Sequence, residues 1–142
     1  MLLFKEANAD KTANNVKEFL TNDYQKLCAI AGANIKSPII SGLPTAPSAG
    51  NSKESQITEV MWARDILKII NQSINACSAD SRKILLGKMD FEKDYILQND
   101  LGVSHTKYYD MLRFAYNEFA DAFEYRGRPL LKNKADLHIY DQ

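Results

Sequence analysis

Between Gly32 and Gly50 the chain carries three of its four prolines, Pro38, Pro44 and Pro47, and three of its six glycines, Gly32, Gly42 and Gly50. Proline lacks the N–H that a helix interior needs and clashes with the preceding turn. Glycine gives up more backbone entropy than any other residue when it is ordered, so no helix crosses this stretch. The sequence on either side is helical in pattern. The chain must therefore fold as separate helical blocks joined across "ANIKSPIISGLPTAPSAGNS", a connection whose length suits a linker or a functional loop.

Before the break, Ala13, Val16, Phe19, Leu20, Tyr24, Leu27 and Ala31 recur three or four residues apart. That spacing predicts a helix over about 11–31, capped by Asp10 or Thr12 and stopped by Gly32. After it, Asn51 and Glu54 make a capping box, and a second helix runs over about 52–76. Its main stripe is Ile57, Val60, Met61, Arg64, Leu67, Ile70, Ile74 and Cys77, with Trp62, Ile66 and Ile69 lying off it. A helix apolar over so wide an arc packs on two neighbours, inside one chain or across a dimer.

From Ser78 the rhythm shortens. "SADSRKILLGKM" reads as a capped helix of two to three turns with Ile84 and Leu85 inward, and "DFEKDYILQNDLG" as another with Tyr95, Ile96 and Leu101 apolar. A long helix then follows from His105, capped by Ser104. The organisation expected is all-α. An N-terminal helical region covers 1–77, with the Pro/Gly loop at 33–51, and a helix-turn-helix unit covers 78–125. A tail, 126–142, loses the helical period and suits an arm or short extended segment.

Eighteen Lys and Arg balance eighteen Asp and Glu, for a formal net charge of zero. An indiscriminate polyanion binder carries an excess of basic residues, so any nucleic-acid contact must come from local placement. Cys28 and Cys77 are far apart and have no histidine at catalytic spacing, and the only histidines, His105 and His138, are far apart and have no cysteine neighbours at ligand spacing. Neither a nucleophilic triad nor a metal site is expected, and no cofactor; the reading is not an enzyme. The apolar start "MLLF" is too short for a signal peptide, and no run approaches the roughly 20 apolar residues of a membrane span, so a cytoplasmic protein is expected.

Candidate chemistry sits at "LGVSHTKYY", a glycine turn opening a helix. On that helix Tyr108, Met111, Leu112, Ala115, Phe119, Ala122 and Phe123 fall on one side, and His105, Thr106, Tyr109, Asp110, Arg113 and Asn117 on the other. Every residue of the second set can hydrogen-bond. A recognition helix presents such N-terminal residues to base edges in the major groove; arginine grips guanine at two points, and Asn, Thr and His suit mixed contacts. Lys107 lies at the flank where a phosphate would be, with Arg82 and Lys93 as further phosphate contacts. The same pattern also describes the solvated face of any amphipathic helix. The two short helices and the turn before it favour double-stranded DNA as the partner.

Residues 78–124 resemble the helix-turn-helix of sigma-factor region four in spacing. Over nearly its whole length the chain resembles the ArpU family of phage-encoded transcriptional regulators, through "MLLF", "NVKEFL", "YQKLCAIAG" and above all "KSPIISGLPTAPSAGNSKES". The resemblance implies a regulator from a phage or prophage of Gram-positive bacteria, similar to activators of late genes for packaging, morphogenesis and lysis. The wide apolar arc of the second helix and the short reading surface predict a homodimer or higher homo-oligomer as the working form, with host RNA polymerase as a further partner. Two alternatives remain open: a small DNA-binding packaging subunit of the terminase type, and a helical adaptor that binds polymerase and never touches DNA.

Overall fold

The computed structural model describes residues 3–32 and 50–141, and every regular element among them is helical. The all-α expectation holds. The Pro/Gly stretch and the side chains of the Asn51–Glu54 capping box lie outside the described residues. Helix α1 spans Ala9–Glu18, α2 Tyr24–Ala31, α3 Gly50–Asn75, α4 Ala79–Met89, α5 Asp94–Leu101 and α6 His105–Leu131. The two long helices α3 and α6 pack on each other. Helix α1 lies on α6, α2 on α3, α4 against both, and α5 bridges α4 and α6.

The block read as one helix over 11–31 is two α-helices joined by a single π turn, Phe19–Asp23. A π turn slips one extra residue into the register. Here it leaves Val16, Leu20, Tyr24 and Leu27 all facing the core, while Phe19 reaches sideways to the rings of Phe119 and Phe123, at 6.3 and 5.0 Å. The N-cap is Asn8, whose Oδ1 accepts from the Lys11 N–H at 2.9 Å, not Asp10 or Thr12. Thr12 is fully buried. Gly32 ends the block as expected, at φ +65°, a conformation open to glycine without strain.

In α3 the buried line is Ala63, Ile66, Ile70, Ser73 and Ile74, continued by Cys77 just past its end. The sequence stripe holds over Ile70, Ile74 and Cys77 and departs before them: Ile66, read as off the stripe, is core, and Ile57 and Met61, read as on it, are exposed. Ala63 and Ser73 are the reason. Small residues let α3 approach its neighbours closely, yet they carry little weight in a hydrophobic pattern. The buried Ser73 hydroxyl is satisfied locally by donating to the Ile69 carbonyl at 2.7 Å.

Helix α6 runs past the boundary read at 126, to Leu131, and a 3-10 turn follows at Lys132–Ala135. The last residues then turn back onto α1. Asn8 N–H donates to Ile139 O at 2.8 Å, Ile139 N–H to Thr12 Oγ1 at 3.0 Å, and Asn15 Nδ2 to Leu137 O at 2.8 Å. Leu137 is buried within its own chain.

Helices α4 and α5 meet at Gly87. A Cβ placed there would lie 2.5 Å from Cδ2 of Leu97, which is itself buried. In an open helix, Gly→Ala stabilises by about 0.5–1 kcal/mol. At Gly87 the contact is closer than side-chain carbons tolerate, so the methyl group must displace the buried Leu97 side chain. We expect Gly87→Ala to lower stability by about 1–3 kcal/mol, read as a lower urea midpoint at unchanged slope.

Candidate nucleic-acid interface

The turn before α6 is held by its own backbone. Gly102, at φ +67°, donates its N–H to Gln98 O at 3.0 Å, and the Gln98 amide donates to Val103 O at 3.2 Å. Ser104 then caps α6, its Oγ accepting from the Lys107 N–H at 3.2 Å. The start of α6 is thus fixed at both ends of a three-residue turn.

A second anchor comes from α5. Oδ1 of Asp94 accepts from the Tyr108 hydroxyl at 2.6 Å and from Lys88 Nζ at 2.9 Å, and Oδ2 faces the Tyr109 hydroxyl at 3.4 Å. One carboxylate therefore ties α4, α5 and α6 together. Burial works against its charge, but the hydrogen bonds from Tyr108 and Lys88 outweigh burial and hold its pKa below 3.8. The buried Tyr108 phenol is pushed the other way, upward, by burial and by its bond to Asp94. Sequence reading placed Tyr108 in the core and overlooked Asp94. Its position in the first turn of a short helix was the available signal.

With α6 fixed in this way, Ser104, His105, Thr106, Lys107, Tyr109, Asp110 and Arg113 are exposed. The rings of His105 and Tyr109 lie 4.7 Å apart and tilted by 60°. Further along the helix the N-terminus of α1 intervenes. Arg113 pairs with Asp10 of α1 at 3.2 Å and with Asp110 at 3.0 Å. The half-buried Asn117 donates to Ala9 O of α1 at 3.0 Å and to Arg113 O at 2.9 Å. The outer face read as one set thus has two parts: a first turn open to solvent, and a second occupied by α1.

Beside the open part runs a groove of about 430 Å³ between α4 and α6, lined by Ser78, Ser81, Lys107, Asp110, Met111 and Phe114. Before α4, Glu118 accepts from the Ser78 N–H at 3.1 Å and from its hydroxyl at 3.0 Å, and the Ser78 side chain makes no cap bond to the helix. The two distant cations are placed differently. Arg82 donates to the carbonyls of Asn75 and Cys77 at 3.3 and 3.2 Å, closing the end of α3. Lys93 is exposed and lines a second groove, with Lys17, Lys88 and Phe91.

Neither cysteine is set up as a nucleophile. Burial, reinforced by the charge of Glu118, pushes the Cys77 thiol up to about 11, and burial also raises Cys28. The fold does gather one cluster that sequence spacing hid. His138 Nε2 faces Asp121 at 2.7 Å, and Nδ1 faces Asp136 at 2.6 Å and Glu124 at 3.4 Å. At 2.6 Å the Nδ1–Asp136 contact is a short hydrogen bond. No helix among the described residues is long and apolar enough to cross a membrane.

A protein of Enterococcus hirae named ArpU, for autolysin regulatory protein, is 31% identical over 131 residues, which cover 88% of this chain and 95% of that protein. No family model matches the chain, and no solved structure matches it significantly.

Proposed function

The chain belongs to the ArpU family of regulatory proteins, and from that premise we propose that it is a sequence-specific DNA-binding regulator of transcription. A regulatory role is what the relationship itself carries. The finer reading is a phage or prophage activator of late genes that sets the start of α6 into the major groove. The observation that most supports it is the first turn of α6. His105, Thr106, Lys107 and Tyr109 are exposed at its surface, while Ser104 and the Asp94–Tyr108 bond fix the backbone beneath them. Rigid placement of hydrogen-bonding side chains at a helix start is what base reading requires. In this reading α4, α5 and α6 form the helix-turn-helix, Arg113 and Asp110 extend the base contacts along the helix, and Lys107 meets a phosphate.

One helix start spans only a few base pairs, too few for a unique address in a genome, so the working form is a pair of copies. Exposed Ile57, Met61 and Trp62 on α3 suit the pairing surface, away from α6.

Zero net charge makes a quantitative prediction for duplex binding. Each neutralised phosphate contributes about −0.9 to the slope of log affinity against log salt. With Lys107 the main free cation of the face, the slope per subunit is shallower than about −5. Fluorescence anisotropy on duplexes from upstream of late operons in its own genome, titrated with salt, tests this. Preference for one such duplex over its shuffled sequence supports the reading. Equal weak binding to all duplexes leaves a packaging-type role, and no binding at all leaves an adaptor of polymerase.

A further inference from the structure

The C-terminal segment after Ala135 lies in extended form along α1, held there by Asn8, Lys11, Thr12 and Asn15, and His138 ties it to α6. Its side chain is only 9% exposed, and both ring nitrogens meet carboxylates. An imidazole can donate from both nitrogens only when it is protonated. We propose that His138 is a proton-held catch: its imidazolium, gripped by Asp121 of α6 and Asp136 of the tail, keeps the C-terminal segment docked, and loss of that proton releases it.

The groups around the ring agree on the sign. From α6 come Asp121 at 2.7 Å and Glu124 at 3.4 Å, the latter also paired with Arg128 at 3.1 Å. From the tail come Asp136, which accepts from both the ring and the His138 N–H, and Tyr140, whose hydroxyl donates to Asp136 at 3.2 Å. From the N-terminal segment comes Lys5, 5.0 Å from the centre of the Tyr140 ring. Three carboxylates against Arg128 and Lys5 leave a local negative excess that favours a cation at the ring. A neutral imidazole keeps only one donor, so one of the two carboxylates would face a lone pair.

Burial disfavours the charged ring, but the bonds and charges of Asp121 and Asp136 outweigh it, so the pKa lies above 6.5. A raised histidine pKa adds to docking in full below about 6.5, and that contribution is lost as pH rises through the higher, docked value. On the acid side Asp136 is held below 3.8 by its bonds to His138, against the effect of burial. The catch is therefore closed from mild acid up to the histidine's own titration.

Release has somewhere to propagate. The docked tail grips the start of α1 through Asn8, Thr12 and Asn15. That same start of α1 supplies Asp10 to Arg113 and Ala9 O to Asn117. The catch thus lies at one end of a chain of contacts that terminates on the outer face of α6. It does not depend on what that face binds, and its test uses no nucleic acid.

The test is hydrogen exchange on the full chain from about pH 5 to about pH 9, corrected for intrinsic exchange, together with the NMR titration of the His138 ring. The Ile139 N–H reports docking, since its partner is Thr12 Oγ1. Its protection is expected to fall with the same midpoint as the ring. Asp121→Asn, at a site 76% exposed and so harmless to folding, should move both midpoints to lower pH together. His138→Gln should leave protection low and independent of pH. Protection that stays flat through the ring's titration, or a midpoint that Asp121→Asn does not move, overturns the catch.

Discussion

Replacing Asp94 with Ala lowers stability by about 2–3 kcal/mol, the largest single loss we expect from any side chain outside the apolar core. The substitution strands two donors at once. The Tyr108 hydroxyl sits on a fully buried residue, and Lys88 loses its partner at 2.9 Å while only 21% exposed. Partial exposure of the Asp94 carboxylate keeps the figure below that of a fully buried pair. Asp94→Asn keeps an acceptor for Tyr108 and should lose less. Because the folded pKa of Asp94 is depressed, its contribution is present above 3.8 and is lost as pH falls through the lower, folded value. Urea unfolding should show the gap between wild type and Asp94→Ala at neutral pH and a narrower gap in strong acid. A constant gap would mean that the carboxylate's charge is not what matters.

On the outer face the expected effect is on binding, with stability untouched. His105→Ala and Arg113→Ala should each weaken specific DNA binding by about 1–3 kcal/mol, or roughly five- to 150-fold. Both positions are exposed, Arg113 at 47%, so neither truncation opens a cavity. The Arg113–Asp10 pair is a surface ion pair and contributes little to the fold. It can therefore be exchanged for a base contact at small cost. Circular dichroism should match wild type in both variants. Unchanged affinity in both, with the helix content intact, would remove these side chains from the interface.

Much of this was legible in the sequence because helices leave a periodic trace. Gly32, Gly102 and Ser104 mark ends that depend on one residue's backbone freedom or one side-chain bond, and those ends fall where expected. The start of α1 was misread because Asn8, Asp10 and Thr12 are all good caps, and only the buried tail contact decides that Thr12 faces inward. The stripe of α3 was partly misplaced because close approach through Ala63 and Ser73 is invisible to hydrophobicity. Harder still were the polar ties. Asp94 with Lys88 and Tyr108, His138 with Asp121, and Asn117 with Ala9 each join residues from different elements, so no local spacing announces them. The outer face of α6 could be listed from a helical wheel, whereas its division into an open turn and an α1-covered turn required the fold.

The central claim is that the start of α6 reads a DNA sequence, and footprinting of the wild-type protein along its own genome's late-operon upstream region tests it most directly. The account predicts one protected site of two related half-sites, centred about one helical turn, 34–36 Å, apart, as a symmetric pair of reading helices demands. The same footprint should vanish for His105→Ala/Arg113→Ala at equal concentration. Uniform protection that tracks protein concentration and not sequence, or a footprint unchanged by the double substitution, would contradict it.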